Sequence, residues 1–149
     1  MDRTLRGFLA GAVAGFAMNF WNLLDYYFFH ITQIRFLDLA AVLLTWSKPQ
    51  TVFATVIHLI IQMLIWNGFL GIIFAHLLVS ITSRGLIIKS TIYSLLLWFF
   101  FKITVNFYRV PVLSGMQPLP GALSNLLAVI LFGIVLGLVL KKLDKPAEV

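Results

Sequence analysis

Apolar and polar positions divide the chain into long apolar runs separated by short charged stretches. Runs without a charged residue cover residues 7–24, 49–83, 90–101 and 110–140. About 20 consecutive apolar residues span the hydrocarbon core of a bilayer. We therefore predict an all-α fold, an integral membrane four-helix bundle that forms a single domain over residues 1–149. Its predicted helices cover about residues 7–30, 51–80, 86–106 and 121–140.

The stretch between the first two predicted helices is apolar as well, with the sequence "IRFLDLAAVLLTWSKPQ". Only about a dozen residues separate Arg35 from Lys48, which is too few to cross a bilayer. An interfacial helix at the membrane surface, with Arg35 and Trp46 at the level of the headgroups, fits this pattern better.

Composition supports a membrane protein, because 61% of the 149 residues are hydrophobic and 11% are charged, against about 25% charged in soluble domains. The formal charge of +6 comes from eleven Lys and Arg scattered at helix ends. That distribution predicts contact with anionic lipid headgroups and not with nucleic acid. The absence of cysteine excludes disulfides, thiol catalysis and thiolate metal sites.

Charge asymmetry between the loops predicts the topology. By the positive-inside rule, the face with more Lys and Arg is cytoplasmic. We therefore expect a multi-pass protein of the bacterial plasma membrane with both termini in the cytoplasm, and an N-terminal segment retained as the first helix. One face carries Arg3, Arg6, Arg84, Lys89, Lys141, Lys142 and Lys145, and the other carries Arg35, Lys48 and Arg109.

Glycines recur at helical spacing in the first and fourth predicted helices. Gly7, Gly11 and Gly15 form one stripe, and Gly133 and Gly137 belong to another. Small residues spaced four apart let a neighbouring helix backbone approach closely. We therefore predict that helices 1 and 4 pack through these glycine ridges, within one chain or between chains.

Polar residues continue the glycine face of helix 1 and recur on the other helices. Helical geometry places them in the outer half of the bilayer, where we expect Asp25 and Lys102 to face each other, because a charge in lipid is costly unless paired. The cluster either fixes helix order or binds a proton or cation. Its predicted members are Asn19, Asn22, Asp25, His58, Gln62, Lys102, Asn106 and Asn125.

Sequence motifs of catalysis are absent. The chain has no P-loop, no G-x-S-x-G, no H-E-x-x-H and no acidic cluster able to hold magnesium. His30 and His58 could in principle ligate haem, but a hydrogen-bonded structural role is favoured for His58. We predict no catalytic residues, no metal and no cofactor, and hence no enzyme.

The sequences "LDYYFFHITQI" at the end of helix 1 and "IYSLLLWFFF" in helix 3 resemble those of small uncharacterised four-helix membrane proteins of spore-forming Gram-positive bacteria. The resemblance implies a plasma-membrane location and supplies no functional residues.

Two functions are compatible with these patterns. The first is an accessory or assembly subunit without catalytic activity, which packs through its glycine ridges as a homo-oligomer or against a partner membrane protein. The alternative is a small transporter or ion-conducting oligomer, with its site at the polar cluster.

Overall fold

The computed structural model describes residues 2–78, 84–110, 113–114 and 116–144. These residues form five helices and, within those ranges, no strand. The helices are α1 (Arg3–Phe29), α2 (Leu37–Thr45), α3 (Val52–Leu77), α4 (Leu86–Phe107) and α5 (Leu119–Leu143).

Four of the helices, α1, α3, α4 and α5, are long and apolar enough to cross a membrane, which confirms the predicted number of long apolar helices. Helix α1 begins about one turn earlier than predicted, because Asp2 precedes it as a cap and accepts a hydrogen bond from the Thr4 backbone N–H at 3.2 Å. The predicted end of the second helix at residue 80 lies outside the described residues, and α3 is described as far as Leu77.

Helix α1 packs against both α3 and α5, and α4 packs along α5 and reaches α3 through the Tyr93 hydroxyl, which donates to the Leu70 carbonyl at 3.0 Å. The first glycine ridge faces α3: a Cβ placed on Gly11 would lie 2.9 Å from the Gly71 Cα, and one placed on Gly7 would lie 2.7 Å from the Gly71 carbonyl oxygen. The second ridge faces α4, where a Cβ on Gly133 would lie 2.5 Å from the Thr91 Cα and one on Gly137 would lie 2.7 Å from the Ile87 Cα.

The predicted contact between helices 1 and 4 is confirmed, but the glycines of the two ridges do not make it. Helices α1 and α5 do pack against each other, but they are joined by polar bonds such as Trp21 Nε1 to Ser124 Oγ at 3.2 Å. Each ridge contacts a different helix of the same chain, because the small residues that complement it lie on α3 and α4. The glycines of both ridges are thus in contact with helices of their own chain, and they do not form an exposed face for contact with a second chain.

The end of the bundle that carries the N-terminus is tied together by side chains of three helices. Arg6 of α1 and Asp144, directly after α5, form an ion pair at 2.6 Å. Thr4 Oγ1 of α1 lies 3.1 Å from His76 Nε2 of α3. These contacts connect the start of α1 with the ends of α3 and α5.

The segment between α1 and α3, residues 31–45, folds back into the bundle, and we call it the inserted segment. Residues 35–42 are all buried, including Arg35 at 7% exposure and Asp38 at 0%. The prediction of a helix here is confirmed. Arg35 is buried in the protein and paired with Asp38, and its location at the level of the headgroups stays a prediction. Trp46, just after α2, is 68% exposed.

Candidate functional site

Asn22 of α1 fixes the start of the inserted helix. Its Oδ1 accepts a hydrogen bond from the Phe36 backbone N–H at 2.7 Å, and its Nδ2 donates to the Ile34 carbonyl at 3.2 Å. Phe36 directly precedes α2, where a helix leaves backbone N–H groups without acceptors inside the helix. Asn22 lies seven residues before the end of α1 at Phe29, or about 10 Å along the helix axis. The inserted segment thus reaches well into the bundle.

Asn125 of α5 joins the same network from the opposite side. Its Oδ1 accepts hydrogen bonds from Asn22 Nδ2 at 3.0 Å and from Thr32 Oγ1 at 3.2 Å. The backbone of the inserted segment also passes close to Gly121 of α5, where a Cβ would lie 2.8 Å from the Ile31 carbonyl oxygen. Two asparagines from two long helices therefore hold the inserted segment. Asn22 satisfies its backbone groups, which need partners when they lie away from water, and Asn125 binds the Thr32 side chain.

The inserted segment carries its own ion pair. Arg35 donates from Nη2 to Asp38 Oδ1 at 2.8 Å and from Nε to Asp38 Oδ2 at 3.3 Å, and a third bond runs from Arg35 Nη1 to the Tyr27 hydroxyl at 2.9 Å. The guanidinium also lies 5.3 Å from the centre of the Tyr26 ring. Burial disfavours the charged guanidinium and by itself would lower its pKa. The hydrogen bonds to Asp38 and Tyr27 outweigh this effect, so the pKa of Arg35 is raised.

This buried pair was not among the predicted site residues. Opposite charges three residues apart within an otherwise apolar stretch were the available signal, since that spacing brings two side chains together on one face of a helix. The prediction assigned Arg35 to the headgroups because length alone indicated a surface helix.

Asp25 is buried at 1% exposure, and its Oδ2 has no hydrogen-bond partner among the described residues. The predicted pairing with Lys102 is wrong. Lys102 Nζ donates instead to Gln117 Oε1 at 3.2 Å and lies 5.4 Å from the centre of the Trp98 ring. The reason is helix order: α4, which carries Lys102, packs along α5, so α1 is not its main neighbour.

Asn19 and Asn67 meet around Gly15. Asn19 Nδ2 donates to the Gly15 carbonyl at 2.8 Å, and the Asn67 side chain of α3 covers the Gly15 Cα so closely that a Cβ there would meet its Nδ2. Asn67 is 1% exposed and was missing from the predicted cluster, because the sequence pair Asn67–Gly68 reads as a turn signal and α3 runs through it as helix.

His58 and Gln62 lie on the part of α3 that contacts the inserted helix. Gln62 is 1% exposed, in a stretch that contacts both α1 and α2. His58 is 8% exposed, and its Nδ1 donates to the Ala54 carbonyl at 2.6 Å, which fits the favoured structural role. Asn106 is exposed on α4 and does not join these residues.

Two stretches of π-helix lie at these polar positions. Helix α1 changes to π-helix over Asp25–Phe29, and α3 is π-helical over Ile61–Trp66. A π-helical turn is rare and occurs frequently at functional sites. In this chain, one π stretch begins at Asp25 and the other contains Gln62.

We call the six polar side chains on α1, α3 and α5 that are 2% exposed or less the polar centre. Within the described part of the chain, four of its side-chain atoms are buried and have no hydrogen-bond partner, and we call these the open atoms. They are Asn19 Oδ1, Asp25 Oδ2, Asn67 Nδ2 and Asn125 Nδ2. The polar centre consists of Asn19, Asn22, Asp25, Gln62, Asn67 and Asn125, each 2% exposed or less.

Chemically, the polar centre can bind a small polar ligand through amide groups and one carboxylate. No group of three or more His, Cys, Asp or Glu able to hold a metal occurs in residues 2–78, 84–110, 113–114 and 116–144. Buried polar atoms are nearly always hydrogen-bonded, so each open atom requires an explanation.

The fold therefore defines a class: small all-α proteins in which four long apolar helices enclose a buried polar centre. The chain belongs to the family of unknown function DUF6789, whose model matches residues 1–149. No curated protein and no solved structure matches the chain.

Proposed function

We propose that this chain is an integral membrane protein without catalytic activity that binds a small hydrophilic solute or ion at the polar centre and passes it across the membrane. The observation that carries the proposal is the set of open atoms. Each unsatisfied polar atom costs several kcal/mol in a membrane interior, and helices α1, α3 and α5 all contribute one or more.

A purely structural polar centre would be expected to satisfy its own hydrogen bonds. Asn22 does so, since both of its side-chain atoms have partners. The neighbouring Asp25 does not satisfy its hydrogen bonds, because its Oδ2 has no partner among the described residues. The nearby cations do not pair with it, since Arg35 pairs with Asp38 and Lys102 donates to Gln117. A buried carboxylate with no matching charge among the described residues favours a role in binding over a role in helix pairing.

The inserted segment supports the same proposal. Irregular backbone within a membrane protein is tolerated where it is buried in protein or lines a cavity, and segments of this type form substrate sites in transporters. Here Thr32 and Phe36 of the inserted segment bond directly to residues of the polar centre.

We propose further that the protein lies in the bacterial plasma membrane with both termini in the cytoplasm. The support is the excess of Lys and Arg at one end of the bundle, including Lys141 and Lys142 in the last turn of α5. The same residues are suited to contact anionic lipid headgroups. Lys145 falls outside the described residues.

The test is flux through the full chain reconstituted into liposomes, measured separately for protons with an enclosed pH-sensitive dye and for Na⁺ and K⁺ with radiotracers. We expect flux of one probe above that of protein-free liposomes, and a loss of tenfold or more in Asp25→Asn, which keeps the shape of the side chain. Asn106→Ala is the matched control, because Asn106 is exposed on α4. Flux equal to that of protein-free liposomes for every probe would refute the proposal.

A second candidate is the accessory or assembly subunit, and the exposed face of α4 favours it. Only 17% of the 18-residue apolar stretch of α4 is buried within the protein, against 50% of the corresponding stretch of α1. The exposed side chains follow one another along the whole helix and include Ile88, Ile92, Leu96, Phe99 and Ile103. Contact with a partner would use this face and not the glycine ridges, and photo-crosslinking from Leu96 in native membranes would distinguish a protein neighbour from lipid.

A further inference from the structure

Hydrogen bonds within the polar centre fix which side-chain atoms of Asn22, Asn125 and Asn19 donate and which accept. Asn22 Oδ1 accepts from a backbone N–H, so the group that reaches Asn125 must be the Asn22 amino group. Asn125 therefore accepts through Oδ1, and its open Nδ2 is a donor. Asn19 donates to a carbonyl oxygen, so its open Oδ1 is an acceptor. A carbonyl oxygen can only accept, which removes the usual ambiguity of asparagine orientation for Asn19, Asn22 and Asn125.

The open atoms thus lie on opposing helices with opposite hydrogen-bonding character. Helix α1 contributes two acceptors, Asn19 Oδ1 and Asp25 Oδ2. Helix α5 contributes a donor, Asn125 Nδ2, and α3 contributes Asn67 Nδ2. A metal cation would satisfy the acceptors only, and an anion would satisfy the donors only. Water donates and accepts, so it can satisfy both sets, as buried water commonly does.

We propose that internal water molecules link Asp25 and Asn19 of α1 to the amide groups of Asn125 and Asn67, and that Asp25 exchanges a proton through this water. The inference rests on the proposed function and names protons as what the site carries. In the exchange, an O–H bond of a hydronium ion breaks and an O–H bond forms at Asp25 Oδ2, which leaves a neutral carboxylic acid and a neutral water.

Other charged or titratable groups near the polar centre have partners of their own. Arg35 and Asp38 neutralise each other within the inserted segment. His58 of α3 donates to its own helix through Nδ1, and Lys102 of α4 donates to Gln117. Further titratable neighbours are Tyr26 and Tyr27 of α1, next to Arg35, and His30, whose Nδ1 donates to the Tyr26 carbonyl at 3.1 Å.

The experiment is infrared spectroscopy of the full chain in lipid nanodiscs, with the carboxylic acid C=O stretch recorded in H₂O and after transfer to D₂O. We expect a band in the wild type that shifts in D₂O without unfolding and is lost in Asp25→Asn. Asp2→Asn is the matched control, since Asp2 is an exposed helix cap that asparagine replaces well, and it should keep the band. Asn125→Leu removes the Nδ2 donor for the water, together with the Oδ1 acceptor of Asn22 and Thr32. It should slow the D₂O shift tenfold or more while the band remains.

Two results would overturn the inference. No band that depends on Asp25 would mean an ionised carboxylate, as expected if a metal cation binds there. A band that never shifts in D₂O in folded protein would mean a site without water. If Asp25→Asn fails to fold, the rate of the D₂O shift in Asn125→Leu decides whether the inference holds. A shifting band together with no proton flux in liposomes would refute the proposed function and leave the hydrated site standing.

Discussion

Replacing Asn22 with alanine should release the inserted helix. The Phe36 N–H would lose its acceptor, and the Ile34 carbonyl and Asn125 Oδ1 would share the single Thr32 hydroxyl that already lies within 3.3 Å of both. A buried group left unsatisfied costs about 1–3 kcal/mol, and a hydrogen bond lost with partial compensation costs about 1 kcal/mol. Together these terms give a destabilisation of about 3 kcal/mol.

The assay uses the fact that the chain has no cysteine, so a single introduced thiol reports its own site. Val42→Cys places a smaller side chain at a position of α2 that is 2% exposed. Where reclosing is faster than labelling, the maleimide labelling rate follows the population of the open form. A change of 3 kcal/mol corresponds to about a hundredfold, so Asn22→Ala should label about a hundred times faster than its parent.

Asn106→Ala in the same Val42→Cys background is the control, because it removes an asparagine that is exposed on α4. It should leave the labelling rate unchanged. A rise of less than about threefold in Asn22→Ala, equivalent to roughly 0.6 kcal/mol, would refute the conclusion that Asn22 holds the inserted helix in place.

Further predictions concern packing and charge, with the unfolding free energy in detergent as the measurement. Gly71→Ala should lower the unfolding free energy by about 2 kcal/mol through overpacking, because its Cβ would meet α1 backbone. Gly68→Ala should be nearly neutral, since its Cβ would meet only the movable ring of Phe8. Equal losses in the two variants would contradict this account. Asp38→Ala should lose about 3–5 kcal/mol by leaving a buried charge unpaired, and Asp144→Ala, from an exposed pair, about 1 kcal/mol or less. Lys102→Met should change stability by less than about 1.5 kcal/mol, because its ammonium group has a neutral partner; a larger loss would point to a charged partner.

Hydrophobic patterning was sufficient to predict the four long helices, because an apolar run long enough to cross a bilayer is a property of consecutive residues. The predicted span 86–106 differs by one residue from α4, Leu86–Phe107. Buried asparagines were also predictable in part: Asn19, Asn22 and Asn125 each lie on a helix face that sequence periodicity identifies. The periodicity reports the direction of a side chain around its own helix, and so it predicts burial.

Sequence periodicity does not show which helix packs against a given helix face. Gly11 and Gly133 were correctly expected to lie in close contacts, yet their neighbours are α3 and α4, since partner choice depends on how two surfaces fit together in three dimensions. Lys102 bonds to Gln117 for the same reason. The tertiary structure also decided the place of the inserted segment. Its length excludes a crossing, but only tertiary contacts, namely the burial of residues 35–42 and the hydrogen bonds to Asn22 and Asn125, show that the segment enters the protein.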